Sequence, residues 1–165
     1  MDHKEKIYYE SVLKFLCLNG QIDGIRFGPV PQLLISNSEK NSQLIKGQIY
    51  LNLASKWLIY YTKPNAFPEL EDEISSMTEE EEIREICKLR LKIITNITLT
   101  DINPNLIIEF NDQTTFYMIG YDPQYESWQL GVAYNPPNEF WDVIAMPGGE
   151  ITAFIPKEYL SEFES

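Results

Sequence analysis

The densest chemistry in this sequence is acidic: nine carboxylates and a single basic side chain, Arg84, lie between Glu69 and Glu85. Glu69, Glu71, Asp72 and Glu73 form one group, Glu79, Glu80, Glu81 and Glu82 a second, and Glu85 follows. Carboxylates at this density can cage a metal, move a proton, or attract a cation on another molecule. The spacing speaks against a cage. A calcium loop alternates oxygen ligands around a turning glycine, and residues 69–82 contain no glycine. Zinc takes Cys and His in a tetrahedral array, whereas the chain has one histidine, His3, and two cysteines 70 positions apart. Neither a metal nor a cofactor is expected.

Proton transfer fares little better. Nucleophilic catalysis needs a base beside a Ser, Cys or Thr, and His3 reads as a terminal surface residue. The sequences G-x-S-x-G, H-E-x-x-H, G-x-x-x-x-G-K-[ST] and G-x-G-x-x-G are all absent. A pair of carboxylates can cleave a glycosidic bond without histidine or metal. Glu109 and Asp142, each inside an aromatic strand, are the candidates, against a plainer reading as outward members of alternating strands. No residue is assigned as catalytic.

Attraction of a cationic partner fits best. The chain of 165 residues carries 13 Lys and Arg against 25 Asp and Glu, a net charge of −12. Phosphate binding needs clustered cations, so nucleic acid is not an expected ligand and a basic protein is. The turn GYDPQYESW adds Tyr121, Asp122, Tyr125 and Glu126, aromatic area beside acceptors for Arg or Lys. The expected partner-binding set is Glu69, Glu71, Asp72, Glu73, Glu79, Glu80, Tyr121, Asp122, Tyr125 and Glu126. A polar turn with no partner is the competing reading of the last four.

The elements that must hold these residues are legible as an α+β pattern. KEKIYYESVLKFLCL, residues 4–18, has helical spacing and stops at Asn19-Gly20. Short β-branched and aromatic runs follow, the signature of a mostly antiparallel sheet: IDGIRFG, QLLIS, GQIYLNLASKWLIYY, LKIITNITLT, NLIIEF, TTFYMIGY, SWQLGVAY, FWDVIAM and EITAFI. Asn111-Asp112 and Pro147-Gly148-Gly149 mark hairpins. Thr78-Glu79-Glu80-Glu81 is a capping box opening a short acidic helix to about Lys88, with Ile83, Ile86 and Cys87 as its apolar stripe. Pro156 can open a short C-terminal helix. Trp57 and Trp128 are expected in the core, and one of Phe140 and Trp141, after the loop NPPNE, is expected to point outward. Cys17 and Cys87 read as two buried thiols.

A shift of 72 positions carries Ile22 to Ile94, Ile25 to Ile97 and Leu34-Ile35 to Leu106-Ile107, and a shift of 71 carries Trp57 to Trp128. The chain is therefore read as one domain, 1–165, built on a diverged duplication of a small β unit, 16–62 and 88–133, with 63–87 as the acidic connection. The start, MDHKEKIYYE, lacks a secretion signal, and no run of 18 apolar residues occurs. A soluble cytoplasmic protein with no membrane contact is expected; its oligomeric state is left open.

The run Leu18-Asn19-Gly20-Gln21-Ile22-Asp23-Gly24-Ile25, an apolar strand after it, and Trp128-Gln129-Leu130 resemble the immunity proteins of bacterial toxin systems. The resemblance spans most of residues 16–130. It departs at Arg26-Phe27 and the proline-bracketed loop, and at Thr95 and Asn96, which stand where the first copy has Asp23 and Gly24. It implies a small binder that blocks a toxin, often a basic nuclease, by covering its active site or an adjacent surface. Such proteins place toxin-facing groups on variable surface, so the resemblance assigns no binding residue. Three other readings stand beside it: an acidic nucleic-acid mimic that inhibits a DNA-binding or defence enzyme, a carbohydrate-acting enzyme using Glu109 or Asp142, and an assembly module.

Overall fold

The structure is a computed structural model and describes residues 1–133 and 140–163. Helix α1 spans His3–Cys17, with Asp2 and Glu5 closing a reciprocal cap at its start and Asn19, in the left-handed region at φ 64°, turning the chain after its end. Its last carbonyls are not left orphaned: the buried Asn41 amide donates to the oxygens of Phe15 and Leu16. Four strands follow, β1 (Ile22–Arg26), β2 (Gln32–Ile35), β3 (Gln48–Leu53) and β4 (Trp57–Tyr60). After a long acidic connection come α2 (Glu79–Cys87), β5 (Ile94–Leu99), β6 (Leu106–Phe110), β7 (Thr115–Met118) and β8 (Trp128–Ala133). The chain closes with β9 (Asp142–Met146), β10 (Glu150–Phe154) and α3 (Leu160–Phe163).

These strands make two antiparallel sheets, one ordered β1-β2-β3-β8-β9-β10 and the other β4-β7-β6-β5. The α+β class, the terminal helices and the acidic central helix are as the sequence leads one to expect. The run GQIYLNLASKWLIYY, however, is two strands, because the chain leaves one sheet at Leu53 and enters the other at Trp57. One hydrophobic cluster joins the inner faces of both sheets to α1, with Leu33, Leu51, Trp128 and Leu130 from the first sheet and Trp57, Ile97, Ile108 and Phe116 from the second. Trp57 and Trp128 are both core residues. Trp141 is buried, stacked on Phe15 and Tyr159, while Phe140 points outward; the NPPNE loop before it lies outside the described residues.

The two sheets exchange strands. The meander β1-β2-β3 is completed by β8, and β5-β6-β7 is completed by β4. A helix precedes each meander, and the first strand of each has an irregularity two residues in, after Ile22 and after Ile94. Leu91, 72 positions beyond Asn19, also lies in the left-handed region, at φ 70°. The backbone bonds reciprocate: Asn19 N–H donates to Ile94 and Leu91 N–H to Ile22, while Ile22 N–H donates to Lys92 and Ile94 N–H to Gly20. The register corrects one pairing of the sequence comparison. Ile35 and Phe110, 75 positions apart, occupy matching places, since each faces the isoleucine ahead of the irregularity; Leu34-Ile35 does not match Leu106-Ile107.

A second correction concerns Cys87. Cys17 is buried and burial raises its thiol pKa, but Cys87 is exposed and neither is bridged. The stripe of α2 is narrower than expected: Ile86 is buried, while Ile83 and Cys87 face outward. Among the described residues no helix is long and apolar enough to cross a membrane.

Candidate functional site

The acidic connection is a strap across the outer face of the four-stranded sheet. Phe67 stacks on Tyr117 with ring centroids 4.6 Å apart, and Ile74 joins the same cluster with Leu58, Tyr60 and Ile107. Tyr117 donates its hydroxyl to Pro68 O, and burial beside Glu69 pushes its pKa well up. Lys56 pins the turn at residues 71–73, its N–H on Glu71 Oε1 at 2.7 Å and its ammonium on Ile74 O at 2.8 Å.

Several expected docking carboxylates are thereby spent on the fold. Glu73 accepts from the N–H groups of Glu69 and Leu70. Glu71 holds Lys56, and Glu69 takes the Asn105 amide at 3.3 Å. Glu81 closes the α2 cap with Thr78, and those hydrogen bonds lower its pKa. Asp72 and Glu79 are exposed, as is Glu80, which pairs with the exposed Arg84. Next to them in the chain, Glu73, Glu81, Glu85 and Arg84 line a shallow groove together with the apolar Leu58, Ile74 and Met77.

The tyrosine-acid loop is likewise divided. Asp122 is engaged by its own turn, accepting from the N–H groups of Gln124 and Tyr125 at 2.7 Å, and Tyr121 packs into the cluster under the strap. Tyr125, 70% exposed, and Glu126 remain available. They wall a second groove with Val30, Met146 and Pro147 over the side chains of Asn52 and Gln129.

That floor belongs to a feature the sequence reading did not contain. On the outer face of the six-stranded sheet, Arg26 Nε donates to Gln32 Oε1 (2.6 Å) and Gln32 Nε2 to Asn52 Oδ1 (2.5 Å). Asn52 Nδ2 donates to Gln129 Oε1 (2.9 Å), and Gln129 Nε2 to Asp142 Oδ1 (3.0 Å). A guanidinium only donates and a carboxylate only accepts, so the two ends orient all three amides. Tyr50 reaches Asp142 at 3.5 Å, across Gly131, where a Cβ would collide with the carboxylate. Burial raises the Asp142 pKa, and repulsion from Glu126 adds to it. The row was missed because bonded neighbours in it lie up to 77 positions apart and each reads singly as an ordinary polar strand residue.

The glycosidase candidates do not converge. Glu109 lies on the four-stranded sheet, its charge favoured by Asn96 and Lys63, which hold its pKa low; Asp142 lies on the other sheet. Both are outward members of their strands, as the plainer reading has it. Comparison with known proteins found no matching family model, no matching curated protein and no matching solved structure.

Proposed function

We propose that this chain is a non-catalytic protein-binding inhibitor of the immunity type, acting in the bacterial cytoplasm by covering the active site, or an adjacent surface, of a basic toxin. The observation that carries the reading is a groove in which the carboxylates of Glu73, Glu81 and Glu85 flank an apolar floor of Leu58, Ile74 and Met77, with Asp72, Glu79 and Glu80 exposed on the same stretch of chain. Charge at the rim draws a cationic surface in, and the floor supplies area to bury once it arrives. The net charge of −12 extends the attraction beyond contact distance. A nucleic-acid mimic needs carboxylates spread like phosphates over a face, whereas nine of the 25 here crowd into residues 69–85.

The test uses the polypeptide encoded immediately upstream in the source genome. Its association rate with this chain is expected to reach ~10⁸ M⁻¹s⁻¹ at low salt and to fall steeply as salt is added. The triple substitution Asp72→Asn, Glu79→Gln, Glu80→Gln is expected to slow association several-fold with an unchanged melting temperature. Substituting Glu69, Glu71 and Glu73 is a poorer probe than the sequence alone would have it, because those side chains hold the strap. A rate indifferent to both salt and the triple substitution overturns the proposal.

A further inference from the structure

The two sheets differ at matching positions in a way that points to a second contact. Trp57 and Trp128 open β4 and β8, so Leu58 matches Gln129; following the register outward, Tyr117 matches Asn52 and Ile107 matches Gln32. On the four-stranded sheet these three places are apolar and lie under the chain's own strap. On the six-stranded sheet they are amides, half-exposed and bonded to one another. A face covered permanently can be apolar; one that meets water between encounters must satisfy its own polar groups. The loop walling this face, residues 119–127, is also where the second half departs from the first, whose matching connection is residues 54–56.

Charge says what the face takes. At its β9 end Asp142 is half-buried, and the charged side chain acting on it is Glu126, which repels. The described residues place no cation in an ion pair with either carboxylate. Tyr125 offers an exposed ring at the groove wall, and Phe154, directly opposite Asp142 on β10, offers another at 54% exposure. Two carboxylates short of a cation, beside aromatic faces and fixed amide acceptors, match a guanidinium, which forks onto carboxylates and stacks on rings.

We propose that the open face of the six-stranded sheet docks the basic partner by accepting one of its arginine side chains at the Asp142 end of the amide row, between Glu126 and the Tyr125 wall. This deepens the inhibitor reading and rests on it: the charge of the strap steers at long range, and this face adds a contact of its own.

The experiment follows the isotope-labelled full chain by NMR as Nα-acetyl-L-arginine methylamide is added, with the lysine analogue as a second arm. Saturable shifts are expected in the side-chain amides of Asn52 and Gln129 and the backbone of Tyr125 and Glu126, weaker with the lysine analogue. Asp142→Asn with Glu126→Gln is expected to weaken arginine binding about tenfold; the new amide oxygen at position 142 would still accept from Gln129, so the row survives. Shifts confined to residues 71–82, shifts reproduced by concentrating the protein alone, or wild-type affinity in the double variant would each overturn the proposal. Association that ignores salt while the arginine probe still maps to this face would sink the steering reading and leave this one standing; the reverse pattern would sink only this one.

Discussion

Asp142 is held where its charge is disfavoured, by burial first and by Glu126 after it. A carboxyl whose pKa is raised by folding stabilises the protein fully below its unfolded pKa, and that contribution is lost as pH rises through the folded value. Asp142→Asn is therefore expected to raise the melting temperature at pH 7, and the gain should shrink on acidification through the elevated pKa and vanish below the ordinary aspartate range. A melting series in pH checks it; a gain that grows on acidification would refute the assignment. Gly131→Ala tests the same site by geometry. Its Cβ would overlap Asp142 Oδ1 and stand 2.9 Å from the Tyr50 hydroxyl, so the carboxylate must swing out of the row. The expected result is a folded protein whose Gln129 amide signal shifts and whose arginine binding drops. Little of this was legible beforehand. Asp142 reads from sequence as an outward strand acid, which it is, but the Tyr50 hydroxyl that stands over it comes from β3, 92 positions away. The acidic run was legible as charge, yet the use of Glu71 and Glu73 as backbone acceptors depends on Lys56 and on a strap path that periodicity does not encode.

The helices and hairpins show where local chemistry suffices. Asp2 and Thr78 cap α1 and α2, each with a glutamate three residues on, and the Asn111-Asp112 turn joins β6 to β7; each depends on neighbours within a few positions, so each was readable. The strand exchange was not, because identical alternation suits β4 to either sheet and only the packed core selects one. The helix-to-strand corners carry a prediction of their own. Asn19 and Leu91 share the left-handed conformation at φ 64° and 70°, which Asn tolerates and a γ-branched aliphatic does not. Leu91 is also 55% exposed and so forfeits little packing. Leu91→Asn should stabilise the protein by about 0.5–1 kcal/mol, read as a higher denaturation midpoint at unchanged slope; a lower midpoint would show that Leu91 packs in solution.

At the scale of the whole molecule, the halves are bound together twice, by reciprocal backbone bonds between residues 19–22 and 91–94 and by β4 and β8 completing each other's sheets. Opening either half strips strand partners from the other. Thermal unfolding is accordingly expected as a single transition whose calorimetric and van't Hoff enthalpies agree; two resolved peaks would contradict the interlock.

The crossed strands also impose an order on synthesis. When Tyr60 has left the ribosome, β3 has β2 on one side but lacks β8 on the other, and that edge stays bare until Ala133 has emerged. At about 5–20 residues per second this is a wait of several seconds. During it the row Ile49, Leu51 and Leu53 is a sticky, half-built surface in a crowded cell. Chaperone capture of the nascent chain should therefore peak between those two lengths and cease once the eighth strand is out.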